Sequence, residues 1–125
     1  MKKINYAGPS IIKEDVDAVK EAVENGFYEN YKKNTTDLEN KLCEILDVKF
    51  ALATNSCTAA LHLALASLDL KKGDEIITSD SSCVATALPI NYVGAEAVFV
   101  DIDPSTWNLC PDSIAKSITD KTKAI

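Results

Sequence analysis

Asn55-Ser56-Cys57-Thr58 places an amide, two hydroxyls and a thiol in four consecutive positions, with apolar residues on both sides. Phe50-Ala51-Leu52-Ala53-Thr54 before it reads as a short strand, and Ala59 to Leu68 after it reads as a buried helix. A helix that starts at such a turn leaves its first backbone N–H groups without intrahelical acceptors, beside the positive end of its dipole. Hydroxyls and amides gathered there suit an anion, above all a phosphate. The same residue types also serve as plain helix caps, worth about 1 kcal/mol. Neither the dinucleotide glycine fingerprint nor the P-loop pattern occurs, so the phosphate reading rests on position alone.

Composition restricts what else could hold the anion. All 13 basic residues are lysines and the net charge is −6, which argues against a nucleic-acid surface. No guanidinium fork is present to clamp a phosphate or carboxylate, leaving helix ends, hydroxyls and lysines. Cys43, Cys57, Cys83 and Cys110 are widely spaced without a CxxC pair, so neither a zinc site nor a disulfide framework is expected and the thiols are read as reduced. His62, the single histidine, has no evident partner and is read as a packed or edge residue rather than a base. No apolar run approaches the roughly 18 residues of a membrane span. Met1 to Tyr6 lacks the apolar stretch of a secretory signal, so a cytoplasmic, soluble protein is expected.

The elements that must position these residues follow from periodicity. At 125 residues and 13.5 kDa the chain fits one α/β unit, divided into an N-terminal helix and loop over 1–34 and a helix plus sheet core over 35–125. Ile12, Val16, Val19 and Val23 recur at helical spacing, and Asn25-Gly26 closes that helix. Phe27 to Tyr31 is an aromatic loop whose rings are expected to pin it to the core. Thr36 with Glu39 forms a capping box ahead of Leu38, Leu42, Ile45 and Leu46. The helix after the central turn is apolar almost all round and should be covered on more than one side. Glu75 to Thr78 and Ala97 to Ile102 read as further strands. Between them Cys83 to Leu88 reads as a helix bent by Pro89 and closed near Gly94. Pro111 opens a last helix through Ile114 and Ile118.

Strands alternating with helices describe a parallel sheet covered by helices on both faces. Ligands in such sheets collect at the carboxyl ends of strands. That rule brings Asn55 to Thr58, Ser79 to Cys83, and Asp101 with Asp103 to one rim.

In this order and spacing the blocks resemble the N-terminal part of the DegT/DnrJ/EryC1/StrS sugar aminotransferases, a family of fold-type I pyridoxal phosphate enzymes. The resemblance runs along essentially the whole chain. It is carried by Asn55 to Leu65, Gly73-Asp74-Glu75-Ile76-Ile77, Val84-Ala85-Thr86-Ala87, Tyr92-Val93-Gly94-Ala95, Val98 to Pro104 and Thr122-Lys123-Ala124-Ile125. It implies the N-terminal portion of a fold-type I large domain, with Ser56, Cys57 and Thr58 cradling the cofactor phosphate through backbone amides and a hydroxyl. Cys57 stands where the family commonly has Gly, which requires a backbone without positive φ. Cys83 takes the position of a flat side chain over the pyridine ring, where a thiol can pack by a sulfur to aromatic contact. The alternative for Cys83 is an inert buried thiol.

The resemblance implies further that the lysine bonded to the cofactor, and the carboxylate paired with the ring nitrogen, lie downstream of Ile125. None of the 13 lysines falls at the family's catalytic position. The implied reaction moves an amino group, with glutamate as donor, onto a keto group of a nucleotide-activated sugar for polysaccharide or glycan synthesis, in a homodimer. Tyr6, Tyr28 and Asn30, with Phe27, are loop residues placed to reach that substrate. Three alternatives stand beside this reading: a sugar dehydratase of the same family, a non-catalytic small-molecule binding module, and a fragment without activity.

Overall fold

The computed structural model describes residues 8–125. Tyr6 lies outside the described residues, so its expected role has no structural counterpart here. Two compact units succeed one another along the chain, Met1–Ala53 and Thr54–Ile125.

The first unit holds helix α1 (Lys13–Asn25), a 3-10 turn (Tyr28–Asn30) and helix α2 (Lys33–Leu46). The α1 start is secured by Asp15, whose Oδ2 accepts the Ile12 N–H at 3.0 Å, with Glu14 and Asp15 facing the dipole's positive end. At Gly26 the chain passes so close to the Ala22 carbonyl that any Cβ there would overlap it; close approach, rather than positive φ, demands the glycine. The expected capping box is corrected here. The helix begins three residues earlier, the Thr36 N–H donates to the Lys32 carbonyl at 2.9 Å, and Glu39 is turned elsewhere. Its Oε1 accepts the Ala53 N–H at 2.9 Å, a charge-assisted bond to the run before the central turn. The aromatic loop is corrected as well: Phe27, Tyr28 and Tyr31 are exposed instead of pinned to a core, and Tyr28 takes a left-handed φ of 53°. The apolar stripe of α1 is likewise exposed.

The second unit holds α3 (Cys57–Ala66), β1 (Glu75–Ser79), α4 (Val84–Tyr92), β2 (Glu96–Val100), α5 (Pro111–Ser117) and β3 (Thr122–Ala124). The three strands form a parallel sheet in the order β2-β1-β3, as an α/β pattern requires. Register runs from Glu75 opposite Glu96 to Ser79 opposite Val100, so these two strands end level with each other. Ile76, Ile77, Ile90, Ala95 and Val100 are buried. Ile76, Ile90 and Ala95 form a cluster on which Leu65, Leu70 and Ala124 pack. Each large aliphatic buried in this way contributes roughly 1.5–3 kcal/mol.

Pro89 stands inside α4 and the helix continues past it to Tyr92. Gly94, at φ +78°, then turns the chain into β2, and the Ala95 N–H donates to the Ile90 carbonyl.

Two further expectations fail. Phe50 to Thr54 is not a strand: a strand exists through a partner's hydrogen bonds, and none of the three strands pairs with this run. Nor is α3 covered on several sides, since it has no fully buried residue and Leu63 is about half exposed. Its one packed side meets α4 and the core cluster.

Candidate functional site

Ser56 is the N-cap of α3, with extended φ and ψ of −163° and 157°. Its Oγ accepts the Ala59 N–H at 3.2 Å and donates to Asn55 Oδ1 at 3.3 Å, while its carbonyl accepts the Ala60 N–H at 3.0 Å. The serine hydroxyl is therefore committed to the cap, on both its donor and its acceptor side. Thr54 Oγ1 adds a second donor to the Ser56 carbonyl, at 2.9 Å.

What remains at the head of α3 is a small set of donors. The N–H groups of Cys57 and Thr58 precede the first intrahelical bonds, and among the described residues they have no acceptor. The hydroxyl of Thr58 likewise has no hydrogen-bond partner among them. Ser56 and Cys57 are exposed and Thr58 is half-buried, so this turn faces outward. Cys57 lies in the helix and is absent from the positive-φ positions, so the backbone accepts a side chain where a glycine is common. Two amides, a hydroxyl and the helix dipole converge on one exposed turn, which fits a phosphate dianion.

Ser79 to Ser82 follows β1, and Asp101 follows β2. The Asp80 N–H donates to the Val100 carbonyl at 3.1 Å, joining these two strand ends at one edge. Ser82 Oγ and Thr86 Oγ1 are 2.9 Å apart across the first turn of α4. Cys83 stands at the N-cap position of that helix, and its thiol is exposed and makes no cap bond, so it is not an inert buried cysteine and its sulfur is free to meet a ring. All four cysteines are free, as their spacing predicts. Asp103 organises a tight turn: the Ser105 hydroxyl and N–H both donate to its Oδ1, and its carbonyl accepts from Trp107 at 2.8 Å. These bonds hold its carboxyl below the ordinary value of 3.8, the Ser105 hydroxyl first among them. His62 is exposed and meets Tyr92 edge to face, with ring centroids 5.4 Å apart.

Tyr28 and Asn30 stand in the first unit, where they line a surface concavity of about 580 Å³ with Glu24, Phe27 and Glu29. A groove of similar volume in the second unit lies over Leu61, Leu65, Ile76, Ile77 and Ile90, and it is lined by none of the expected site residues. Its apolar walls suit packing rather than phosphate chemistry, so the chemically equipped surface and this groove are different places. The part that sequence reasoning missed is Thr54. A threonine two residues before an N-cap is the available signal, but only the fold shows where its hydroxyl points.

An aminotransferase from Psychrobacter cryohalolentis is 35% identical, with a TM-score of 0.84 over 92% of this chain and 29% of its own. A Streptococcus pneumoniae protein named as a sugar aminotransferase, solved in a PLP-form, is 30% identical with a TM-score of 0.85, over 98% of this chain and 31% of its own. A GDP-4-keto-6-deoxymannose-3-dehydratase with a trapped PLP-glutamate geminal diamine is 29% identical with a TM-score of 0.84, over 98% and 33%. The chain thus spans about a third of the length of these solved proteins. Residues 9–125 match the DegT/DnrJ/EryC1/StrS aminotransferase family, and with that match joined to the parallel sheet and the donor turn, the chain belongs to this family of fold-type I enzymes.

Proposed function

We propose that residues 8–125 form the phosphate-holding portion of a pyridoxal phosphate-dependent enzyme that transfers an amino group from glutamate to a keto group of a nucleotide-activated sugar. One observation carries this reading: the open donor set at the head of α3, in a chain whose family includes structures in PLP-form. The amides of Cys57 and Thr58 and the Thr58 hydroxyl bind the phosphate, Ser56 holds the turn as its cap, and Cys83 packs against the pyridine face. When bound, the cofactor supplies a ring that takes up electrons from the substrate carbon losing its proton. None of the 13 lysines present is the residue bonded to it.

Tyr28 and Asn30 are proposed to face the sugar. The setting is glycan or polysaccharide synthesis in the cytoplasm by a homodimer. A dehydratase of the same family is the second reading. The likeness to a GDP-sugar dehydratase, at 29% identity and a TM-score of 0.84, favours it.

The test avoids the aldehyde, which would react with lysines indiscriminately. Pyridoxamine 5′-phosphate and pyridoxamine are titrated in turn into the ¹⁵N-labelled chain. The phosphate form is expected to shift the Cys57 and Thr58 amides, the phosphate-free form is not, and Thr58→Val weakens the effect several-fold. Equal responses to both compounds, or shifts centred away from α3, would remove the phosphate site.

A further inference from the structure

We propose that Thr54 is a positioning residue for the phosphate site, acting through the Ser56–Cys57 peptide. The inference rests on the phosphate reading above and adds a residue that this reading does not include. A trans peptide is planar, so the Ser56 carbonyl and the Cys57 N–H point in opposite directions. The first is therefore a handle on the second. Two donors hold that carbonyl: the Ala60 N–H at 3.0 Å along the helix axis, and Thr54 Oγ1 at 2.9 Å from the preceding chain. The Ala60 bond comes with any helix. The Thr54 bond is an additional restraint at the one place where the chain enters from a non-helical segment and would otherwise be free to rotate the peptide.

The Cys57 N–H, like that of Thr58, has no acceptor among the described residues, so its direction decides whether these two amides converge on one anion. Convergence held in advance is worth more than the same donors free to swing, because less order is lost on binding. Thr54 itself is exposed, and its hydroxyl proton is spent on the Ser56 carbonyl. It acts on the anion only through the peptide it holds.

Thr54→Val keeps the shape and removes the donor, and Thr54→Ser keeps the donor and removes the methyl. Affinity for pyridoxamine 5′-phosphate and for pyridoxamine is measured by amide shifts for wild type and both variants, with helicity followed by circular dichroism. Thr54→Val is expected to weaken the phosphate form about fivefold, to leave pyridoxamine binding unchanged, and to move the Cys57 amide resonance in the free chain. Thr54→Ser is expected to bind as wild type does. A Thr54→Val chain that keeps the wild-type preference for phosphate overturns the assignment, and so does a Thr54→Ser chain that loses it. The serine variant keeps the proposal falsifiable even if the valine variant loses helicity. If wild type itself shows no preference for the phosphate form, the site reading fails instead, a result distinguishable from the failure of Thr54 alone.

Discussion

Thr58 and Ser56 carry hydroxyls two positions apart, yet they do different work. Ser56 spends its oxygen on Ala59 and its proton on Asn55, whereas Thr58 has both to offer. The division follows from helix geometry: an N-cap side chain folds back over the first turn, and a residue inside that turn projects outward. Asp103 gives a residue-scale prediction of a different kind. Its carboxylate is stabilised in the fold by the Ser105 hydroxyl and N–H, so its folded pKa lies below the ordinary 3.8. The linkage sign for a depressed carboxylate is definite: the contribution is complete above the unfolded value and disappears as pH falls from about 4 through the folded value. Ser105→Ala should therefore raise the Asp103 pKa toward 3.8 in a carboxyl-carbon NMR titration, and an unmoved midpoint would show that the hydroxyl does not hold it. Neither this role nor that of Thr54 could be read from the chain, because side-chain direction depends on the local backbone that surrounds it.

At the scale of elements, helix and strand periodicity located β1, α4, β2 and α5 to within a few residues, since each carries its own punctuation. Gly73 and Gly94 sit at positive φ where the chain reverses, and Pro111 opens α5 at a position that needs no N–H donor. Gly94 has open space around an added Cβ, so its cost on substitution comes from backbone conformation alone. Gly94→Ala is expected to destabilise the chain by about 1–2 kcal/mol. Denaturant melts measure this, and an unchanged midpoint would mean that the loop relaxes to negative φ. The misread elements share one feature. Phe50 to Thr54 has strand composition without a paired strand, and Thr36 with Glu39 has capping-box spacing inside a helix that had already begun. In the first case the partner strand is missing, and in the second Glu39 accepts from the distant Ala53 N–H instead of capping.

In the whole molecule, the second unit is organised by the packing of α3, α4 and β3 residues around Ile76, Ile90 and Ala95. Ile90 is almost wholly buried, and Ile90→Ala should cost about 2–5 kcal/mol through lost burial and the cavity left behind. Thermal unfolding reads this out, and a loss well under 1 kcal/mol would mean that the cluster does not hold the unit together. The sequence alone determined the alternation of helices and strands, the parallel sheet and the family. These are consequences of local periodicity, composition and ordered motifs. Tertiary structure decided which apolar faces stay exposed, that Phe50 to Thr54 lacks a strand partner, and which donors at α3 remain free. Burial, pairing and hydrogen-bond competition depend on groups distant along the chain, so periodicity carries no record of them.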